Sequence, residues 1–177
     1  DLWPEAPIQM GALTSRWGIT LARWLERFIY RNAERLVALS PGMKAGIVDA
    51  GVPAEDVAMI PNASDVDLFS PSVDGARFRE KLDLDGRFVC TYFGAMGAAN
   101  GLSFVLEAAQ VLKRRGETGI ALVLHGQGKE RPMLEARCRE EALDNVVFSD
   151  PIPDKGAIAE LAAASDACMT IYKNVPI

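Results

Sequence analysis

Three short segments of the chain combine residue types that suit the binding of phosphate groups. They are the glycine-bearing segments 94–101 and 125–130 and the proline-bearing segment 150–153. Glycine lets backbone N–H groups come close to an anion, and a helix that begins after such a loop favours negative charge at its N-terminus. Glycines also permit tight turns between a strand and a helix. Their spacing here is compatible with either role, phosphate binding or tight turns. Segment 94–101 follows neither the G-x-G-x-x-G pattern nor the P-loop pattern, so the signatures for dinucleotides and ATP are absent.

Each of these segments follows a continuous apolar run that predicts a β-strand, over 88–93, 120–124 and 146–148. Ligands of an open parallel sheet bind at the carboxyl ends of its strands. The three loops are therefore predicted to form one cleft for a nucleoside diphosphate. The residues expected to line this cleft are Gly94, Met96, Gly97, Asn100, Gly126, Gln127, Pro151 and Ile152.

The region from residue 88 onward alternates strands with helices at close spacing. Helices are predicted over 102–115, 132–142 and 155–164, and a fourth strand over 167–172. The strands are uninterrupted apolar runs, as in parallel sheets that helices cover on both faces. This order predicts an α/β fold with a doubly wound parallel sheet. Because four strands are few for such a sheet, residues 76–177 are interpreted as the first part of a truncated nucleotide-binding domain.

The first third of the chain has a different organisation. Helices are predicted over 12–34 and 42–50, and short strands over 35–39 and 57–60. Segment 62–75 is rich in Pro, Ser and Asp, which is typical of a linker between domains. Residues 1–61 are therefore interpreted as the C-terminal part of an incomplete Rossmann-like N-terminal domain.

The composition excludes several classes of protein. The chain has 177 residues, of which 49% are hydrophobic and 24% charged, and its net charge is −5. This is ordinary globular usage, and the negative balance argues against a nucleic-acid binder. No apolar run reaches the ~18 residues that span a bilayer, and the N-terminus lacks the features of a signal peptide.

The cysteines and the histidine exclude the common metal and redox motifs. The three cysteines form no C-x-x-C pair, and the single histidine, His125, excludes a His-rich metal site. Cys90 and Cys168 lie in apolar strand-like runs and are predicted to be small core residues. We expect a cytoplasmic protein that uses neither a metal nor a cofactor.

Segment 33–69 resembles the interdomain region of glycosyltransferase family 4, whose members are retaining enzymes with the GT-B fold. The shared features are an apolar strand that ends in serine, a helix that ends in Gly-Val-Pro at 51–53, and the order I-P-N at 60–62 followed by Asp65 and Phe69. The segments 92–106 and 126–130 are similar to two glycine-bearing donor-site motifs of the family, and residues 1–5 look like its capsular and exopolysaccharide subgroup.

The resemblance implies a fragment of a retaining glycosyltransferase with a GT-B-like fold. Such an enzyme transfers a sugar from a nucleoside-diphosphate sugar to a glycan or polyprenyl-linked acceptor. The resemblance assigns no catalytic residue within this chain. Together with the placement of the loops after the strands, it leads us to expect the donor phosphates at Gly94, Ala95, Met96, Gly97, Asn100, Gly126, Gln127 and Lys129, and the nucleobase side at Pro151 and Ile152.

Two positions depart from the family pattern at the diphosphate. Ala95 and Asn100 stand where family members have an arginine and a lysine that hold it. Lys129 and Lys155 are candidates to restore the missing charge, and Lys129 is the stronger because it opens the helix after the second glycine loop. The departures favour an alternative, a non-catalytic protein that keeps the GT-B fold, and a sugar-nucleotide epimerase of the same architecture is another. This chain by itself is expected to show no sugar transfer and at most weak nucleotide binding.

The predicted helix 12–34 has two distinctive sets of side chains. Its apolar stripe is expected to be exposed or to be covered by a second copy of the chain, which predicts self-association. The arginines are predicted to share one face opposite that stripe, where they would contact anionic lipid at the inner face of a membrane or simply face solvent. The stripe comprises Leu13, Trp17, Leu21, Trp24, Leu25, Phe28 and Ile29, and the basic face comprises Arg16, Arg23, Arg27 and Arg31.

Overall fold

The computed structural model describes residues 3–173, which form two compact units, 3–64 and 65–173. The boundary at Ser64 and Asp65 falls inside the segment 62–75 that the sequence marks as a linker. The end of that segment is packed rather than free, because a Cβ at Gly75 would lie 2.2 Å from the backbone nitrogen of Ala164. The outermost residues of the two predicted domains, 1–2 and 174–177, lie outside the described residues.

The first unit contains four helices or helical turns around two short parallel strands. In chain order these elements are α1 (Glu5–Gln9), α2 (Arg16–Asn32), β1 (Leu36–Ala38), α3 (Pro41–Asp49), a 3₁₀ turn (Ala54–Asp56) and β2 (Val57–Met59). The α3 helix begins at Pro41, because the Ser40 hydroxyl caps it by accepting a hydrogen bond from the Met43 N–H at 3.2 Å and proline suits the first helical position. The short helix α1 was not predicted.

The first unit buries little apolar surface. Its core consists of Ala38, Ile47 and Val57 with a few half-buried neighbours. The long helix α2 buries only Ala22 completely. Its predicted apolar stripe is exposed in this chain, with Trp17 86% and Trp24 59% accessible. Among residues 3–173, no helix is long and apolar enough to cross a bilayer.

The arginines of α2 do not lie opposite the apolar stripe, and this part of the prediction is wrong. Arg23, Arg27 and Arg31 line one groove together with Trp24 and Phe28, whose rings stack with centroids 5.6 Å apart. The reason is the helical repeat, since Trp24 precedes Arg27 by three residues and Arg31 by seven, and both spacings put side chains on the same side. The basic and aromatic side chains therefore form one mixed surface.

The second unit is a four-stranded parallel sheet with helices on both faces. Its elements are α4 (Ala76–Lys81), β3 (Phe88–Phe93), a 3₁₀ turn (Ala98–Asn100), α5 (Ser103–Arg114), β4 (Ile120–His125), α6 (Arg131–Glu140), β5 (Val146–Ser149), α7 (Lys155–Ala163) and β6 (Ala167–Met169). The strand order is β5-β4-β3-β6, and all pairs are parallel. The predicted fold class of this region is confirmed.

Alternate residues of the strands supply two separate cores. On one face, Tyr92, Leu122 and Leu124 pack against α5 and α6. On the other face, Val89 and Val123 pack with residues that follow α4, and a neighbouring cluster joins α4 to α7. Burial on both faces explains why the strands are continuous apolar runs rather than alternating ones.

The last strand differs from the prediction. It covers Ala167–Met169 rather than 167–172, and it pairs only with β3. As the outer strand of the described sheet, β6 leaves Cys168 exposed, so the prediction that this cysteine lies in a core is wrong. Cys138 is the buried cysteine, and burial raises the pKa of its thiol to about 11.

Candidate functional site

The three predicted loops meet at the carboxyl edge of the second unit's sheet and are joined by backbone hydrogen bonds. The Gly94 N–H donates to the carbonyl of His125 at 3.1 Å, and the Met96 N–H donates to that of Gln127 at 2.8 Å. The Gly126 N–H donates to the carbonyl of Ser149 at 3.1 Å. The parallel pairing thus continues past the strand ends and fixes the loops relative to one another.

The glycines of the second loop have a definite packing role. A Cβ at Gly126 would lie 2.0 Å from the carbonyl oxygen of Gly94, and one at Gly128 would lie 2.3 Å from that of Met96. Gly126 also has a φ of +137°, which side chains disfavour. These two glycines therefore allow one loop to pack closely against the other. This role differs from both anion binding and tight turns, the two roles considered from the sequence.

An open pocket of about 440 Å³ lies over this edge. It brings together six of the predicted site residues from three different loops, and Phe93, His125 and Ile158 complete its wall. The predicted residues in it are Gly94, Ala95, Gly126, Gln127, Pro151 and Ile152. One face of the pocket is thus backbone-rich and another is apolar.

Met96 does not line the pocket. Its side chain is completely buried in the core beneath the loops. Its carbonyl accepts a hydrogen bond from the Glu130 N–H at 3.0 Å, and its own N–H is bound to Gln127. The sequence prediction for Met96 is therefore corrected, because the residue holds the two loops together from below.

The remaining predicted residues lie beside the pocket rather than in its wall. The Asn100 Oδ1 accepts a hydrogen bond from the Gly97 N–H at 3.4 Å, which closes the first loop onto itself. Lys129 is exposed on the second loop, and Lys155 is exposed at the start of α7. Below the first loop, the Tyr92 hydroxyl donates to the Ala95 carbonyl at 2.8 Å.

His125 is a buried residue of the pocket wall. Its Nδ1 lies 3.0 Å from the Ser149 hydroxyl oxygen, and its ring packs at a tilt against Phe93. Burial lowers the pKa of His125, the nearby positive charge of Arg131 lowers it further, and Asp150 partly opposes the shift. The imidazole is therefore neutral at pH 7.

Arg131 is the residue of this edge that sequence reasoning missed. Its guanidinium donates to the Gly126 carbonyl at 2.9 Å and forms ion pairs with Glu135 at 2.7 Å and Asp150 at 2.8 Å. It thereby joins the second loop to the third. Two carboxylates share its charge, so Arg131 positions the loops and adds no net positive potential. An arginine next to proline at a helix start, directly after a glycine loop, was the available signal.

The residues after β6 reach the first loop. The Lys173 N–H donates to the carbonyl of Ala99 at 2.9 Å, and Lys173 Cγ would lie 3.2 Å from a Cβ at Gly101. This contact brings a cation to a loop that has no charged residue of its own between 94 and 102. Within residues 3–173, no group of three or more His, Cys, Asp or Glu side chains is arranged to hold a metal ion.

Residues 1–63 match the Glycosyl transferase 4-like domain. The chain is 29% identical over 157 residues to WcaI of Escherichia coli, which is named for glycosyl transfer in colanic acid biosynthesis, and this covers 87% of the chain and 38% of that protein. It is 33% identical over 119 residues to alpha-D-kanosaminyltransferase of Streptomyces kanamyceticus, covering 65% of the chain and 30% of that protein. The chain thus spans well under half the length of these relatives.

Solved structures resemble most of the chain. WaaG, a glycosyltransferase involved in lipopolysaccharide biosynthesis, matches with a TM-score of 0.76 at 20% identity, over 97% of this chain and 48% of WaaG. Anabaena HepE, solved with UDP and glucose, matches with a TM-score of 0.70 at 24% identity, over 90% of this chain and 42% of HepE. At these identities the likeness establishes the fold, which is a partial GT-B fold.

Proposed function

We propose that the chain is part of a family 4-like glycosyltransferase, and that the whole protein transfers a sugar from a nucleoside-diphosphate sugar to a glycan or lipid-linked acceptor. The match of residues 1–63 to a Glycosyl transferase 4-like domain and the similarity to WcaI support this proposal. We further propose that the sugar keeps its anomeric configuration, as the family resemblance implies. The second unit supplies the donor site, and the acceptor side belongs to the domain of the first unit.

The observation that carries this proposal is the pocket at the carboxyl edge of β3, β4 and β5. It has an apolar wall of Pro151 and Ile152 on one side, suited to a base, and a backbone-rich wall at Gly94 and Ala95 on the other, suited to phosphates. The likeness of fold to HepE, which was solved with UDP and glucose, supports this choice of ligand.

The chemistry requires stabilisation of the diphosphate as it leaves. Preorganised N–H donors and positive charges can supply it without an acid or base from this chain. In the second loop, Lys129 is exposed and precedes α6, and Lys155 begins α7 at the same edge. We propose that Lys129 provides the charge that Ala95 lacks.

Nucleotide binding by the 177-residue chain tests this donor site. We expect one of UDP, GDP and ADP to bind weakly and to shift its phosphorus NMR signals. Lys129→Ala should weaken that binding, while Arg115→Ala, which removes the same charge at the far end of α5, should not. Absence of binding by all three nucleotides would contradict the proposed donor site. Affinity that persists unchanged in Lys129→Ala would remove Lys129 from it.

A second candidate function is a non-catalytic protein with the same fold. The neutral residues Ala95 and Asn100 in the first loop favour it, because a neutral hydrogen bond is about half as strong as a charge-assisted one. Assay of the whole protein with sugar nucleotides separates the two candidates. Nucleotide binding without turnover or hydrolysis would support the non-catalytic alternative.

The mixed surface of α2 supports a peripheral contact with the cytoplasmic face of a membrane, which suits a lipid-linked acceptor. Arginines beside Trp24 and Phe28 combine the anion-binding and interfacial side chains of helices that lie on bilayers. Arg23 is already paired with Glu5 at 2.8 Å, which leaves Arg27 and Arg31 as the main basic contacts.

Vesicle sedimentation tests the membrane contact. The chain should bind phosphatidylglycerol vesicles more strongly than phosphatidylcholine vesicles. Arg27→Gln with Arg31→Gln should weaken binding by roughly tenfold or more, at about 1 kcal/mol per basic residue. Arg114→Gln with Arg115→Gln on α5 is the matched control. Equal binding to both vesicles would contradict the proposal, and concentration-dependent association without vesicles would instead support self-association through the stripe.

A further inference from the structure

We infer that Lys173 is a ligand-binding residue that supplies positive charge to the diphosphate subsite at the first loop. This inference rests on the donor site proposed above, and it adds a residue that follows the fourth strand to a site so far built from the loops after three strands. The carboxyl end of β6 was not among the loops that the sequence assigned to the cleft.

The sheet brings the chain after β6 to the first loop. The β6 strand pairs with β3 in parallel, with Met169 opposite Tyr92, so both strands end at the same edge. Four residues beyond β6, the Lys173 N–H donates to the Ala99 carbonyl at 2.9 Å. Ala99 is the middle residue of the 3₁₀ turn Ala98–Asn100, and Lys173 is therefore anchored next to Asn100.

The first loop leaves room for the lysine stem. Gly101 follows that turn with a φ of +59°, and a Cβ there would come within 3.2 Å of Lys173 Cγ. The stem thus passes over Gly101, and two further methylenes separate Cγ from the ammonium. This length lets the charged group reach across the loop segment at Asn100, where the family resemblance places a lysine of the diphosphate site.

The charges around the edge distinguish Lys173 from Arg131. Segment 94–102 contains no charged residue. Arg131 is occupied by Glu135 and Asp150 on the other side of the site. Within residues 3–173, the Lys173 side chain makes no ion pair with a carboxylate. Lys173 replaces the charge that Asn100 lacks, as Lys129 is proposed to do for Ala95.

The test compares a nucleotide with its own nucleoside. Whichever of UDP, GDP and ADP binds the wild-type chain is titrated by calorimetry at low ionic strength beside the corresponding nucleoside. Lys173→Gln should weaken binding of the nucleoside diphosphate by about fivefold, which corresponds to the upper value of about 1 kcal/mol for an exposed ion pair. It should leave the nucleoside affinity unchanged and reduce the salt dependence of diphosphate binding. Lys173→Arg should retain most of the affinity.

The control variant is Arg114→Gln, which removes one positive charge at the opposite end of α5 and should leave all affinities as in the wild type. Equal diphosphate affinity of Lys173→Gln and Arg114→Gln would overturn the role of Lys173 while leaving the proposed donor site intact. An equal loss of nucleoside affinity would also overturn it, because the lysine would then support the loop and not the phosphates. If no nucleotide binds the wild-type chain, the donor site and the inference fail together.

Discussion

The two units of the chain use the same kinds of element but differ in how completely they bury them. The second unit places four strands between helices on both faces, and residues such as Leu106 and Leu124 are completely buried. The first unit has two strands of three residues each, and its long helix α2 leaves most of its apolar side chains accessible. The difference is one of packing partners and not of local sequence pattern.

The apolar stripes of α5 and α2 differ in whether another part of the chain covers them. In α5 the stripe of Val105, Leu106 and Ala109 faces the sheet and, with Leu102 just before the helix, closes a core. In α2 the apolar stripe is exposed to solvent. Exposed apolar patches of this kind commonly mark interaction surfaces. The second unit is thus organised around an internal core, whereas the first leaves an apolar surface exposed.

The largest expected contrast is between equivalent leucines on the two helices. Leu106→Ala on α5 should lower the free energy of unfolding by about 2–5 kcal/mol, because it leaves a cavity in a closed core. Leu21→Ala on α2 makes the same change at a side chain that is 63% accessible. It should alter the free energy of unfolding by less than about 0.5 kcal/mol. Urea denaturation followed by circular dichroism measures both. A large loss in Leu21→Ala would mean that the α2 stripe is covered in solution.

A second prediction concerns the glycines that hold the site together. Gly126→Ala should destabilise the second unit by about 2–4 kcal/mol, because the new methyl group would meet the Gly94 carbonyl and the backbone conformation disfavours it. Gly116→Ala is the control within the same unit. Its φ of +69° is also unfavourable, but nothing lies within 4 Å of the new Cβ, so only the backbone cost of roughly 1–2 kcal/mol applies.

Equal losses of stability in these two variants would show that the loops can move apart without a further loss of folding free energy. The site would then lack the rigid backbone-to-backbone contact on which its geometry depends. A larger loss of stability in Gly126→Ala, accompanied by weaker nucleotide binding, would show that nucleotide binding depends on the packing of the two loops.

The sequence predicts the second unit well for a physical reason. Strands such as 88–93 and 120–125 are buried on both faces, so their apolar runs are long and their ends are marked by glycine. The helical crossovers make the strands parallel, and the residues that end each strand are therefore placed at one edge. Six of the ten residues predicted for the site meet in the pocket for this reason.

What the sequence did not predict depends on contacts between distant residues. Met96 lies in a glycine-bearing loop, and its burial depends on α5 and α6 closing beneath it. Lys173 has unremarkable neighbours in the sequence, and only the pairing of β6 with β3 brings it to the edge. The sequence around Arg131 marks a helix start, but it does not show the ion pair with Asp150 that joins two loops. The arginines of α2 are a different case, because Trp24 and Phe28 lie on the same side of the helix as Arg27 and Arg31 through the helical repeat alone.

A third prediction tests the outward stripe of the first unit directly. Trp24→Ser with Phe28→Ser removes the stacked pair from the surface, and should reduce binding of a hydrophobic dye and any concentration-dependent light scattering. Because both side chains are more than half accessible, stability should change little. Substitution of Phe88 by Ser, a single exposed aromatic at the start of β3, is the comparison variant. A wild-type chain that stays monomeric and binds no dye would contradict the contrast between the two units.

The smallest expected effect concerns the pH dependence that His125 gives to the second unit. Burial, with Arg131 nearby, holds the pKa of His125 below its ordinary value of about 6.5. Between these two pKa values the unfolded chain binds a proton that the folded chain does not, so stability falls as the pH drops below about 6.5 and the loss ends once the folded-state pKa is passed. The chain has one histidine, so the NMR titration of its ring protons reports this pKa directly. His125→Asn should flatten the change in urea midpoint between about pH 7.5 and pH 5.5. A measured pKa at or above the ordinary value would mean that water reaches His125 in the pocket wall. The burial that distinguishes the second unit from the first would then not extend to the candidate site.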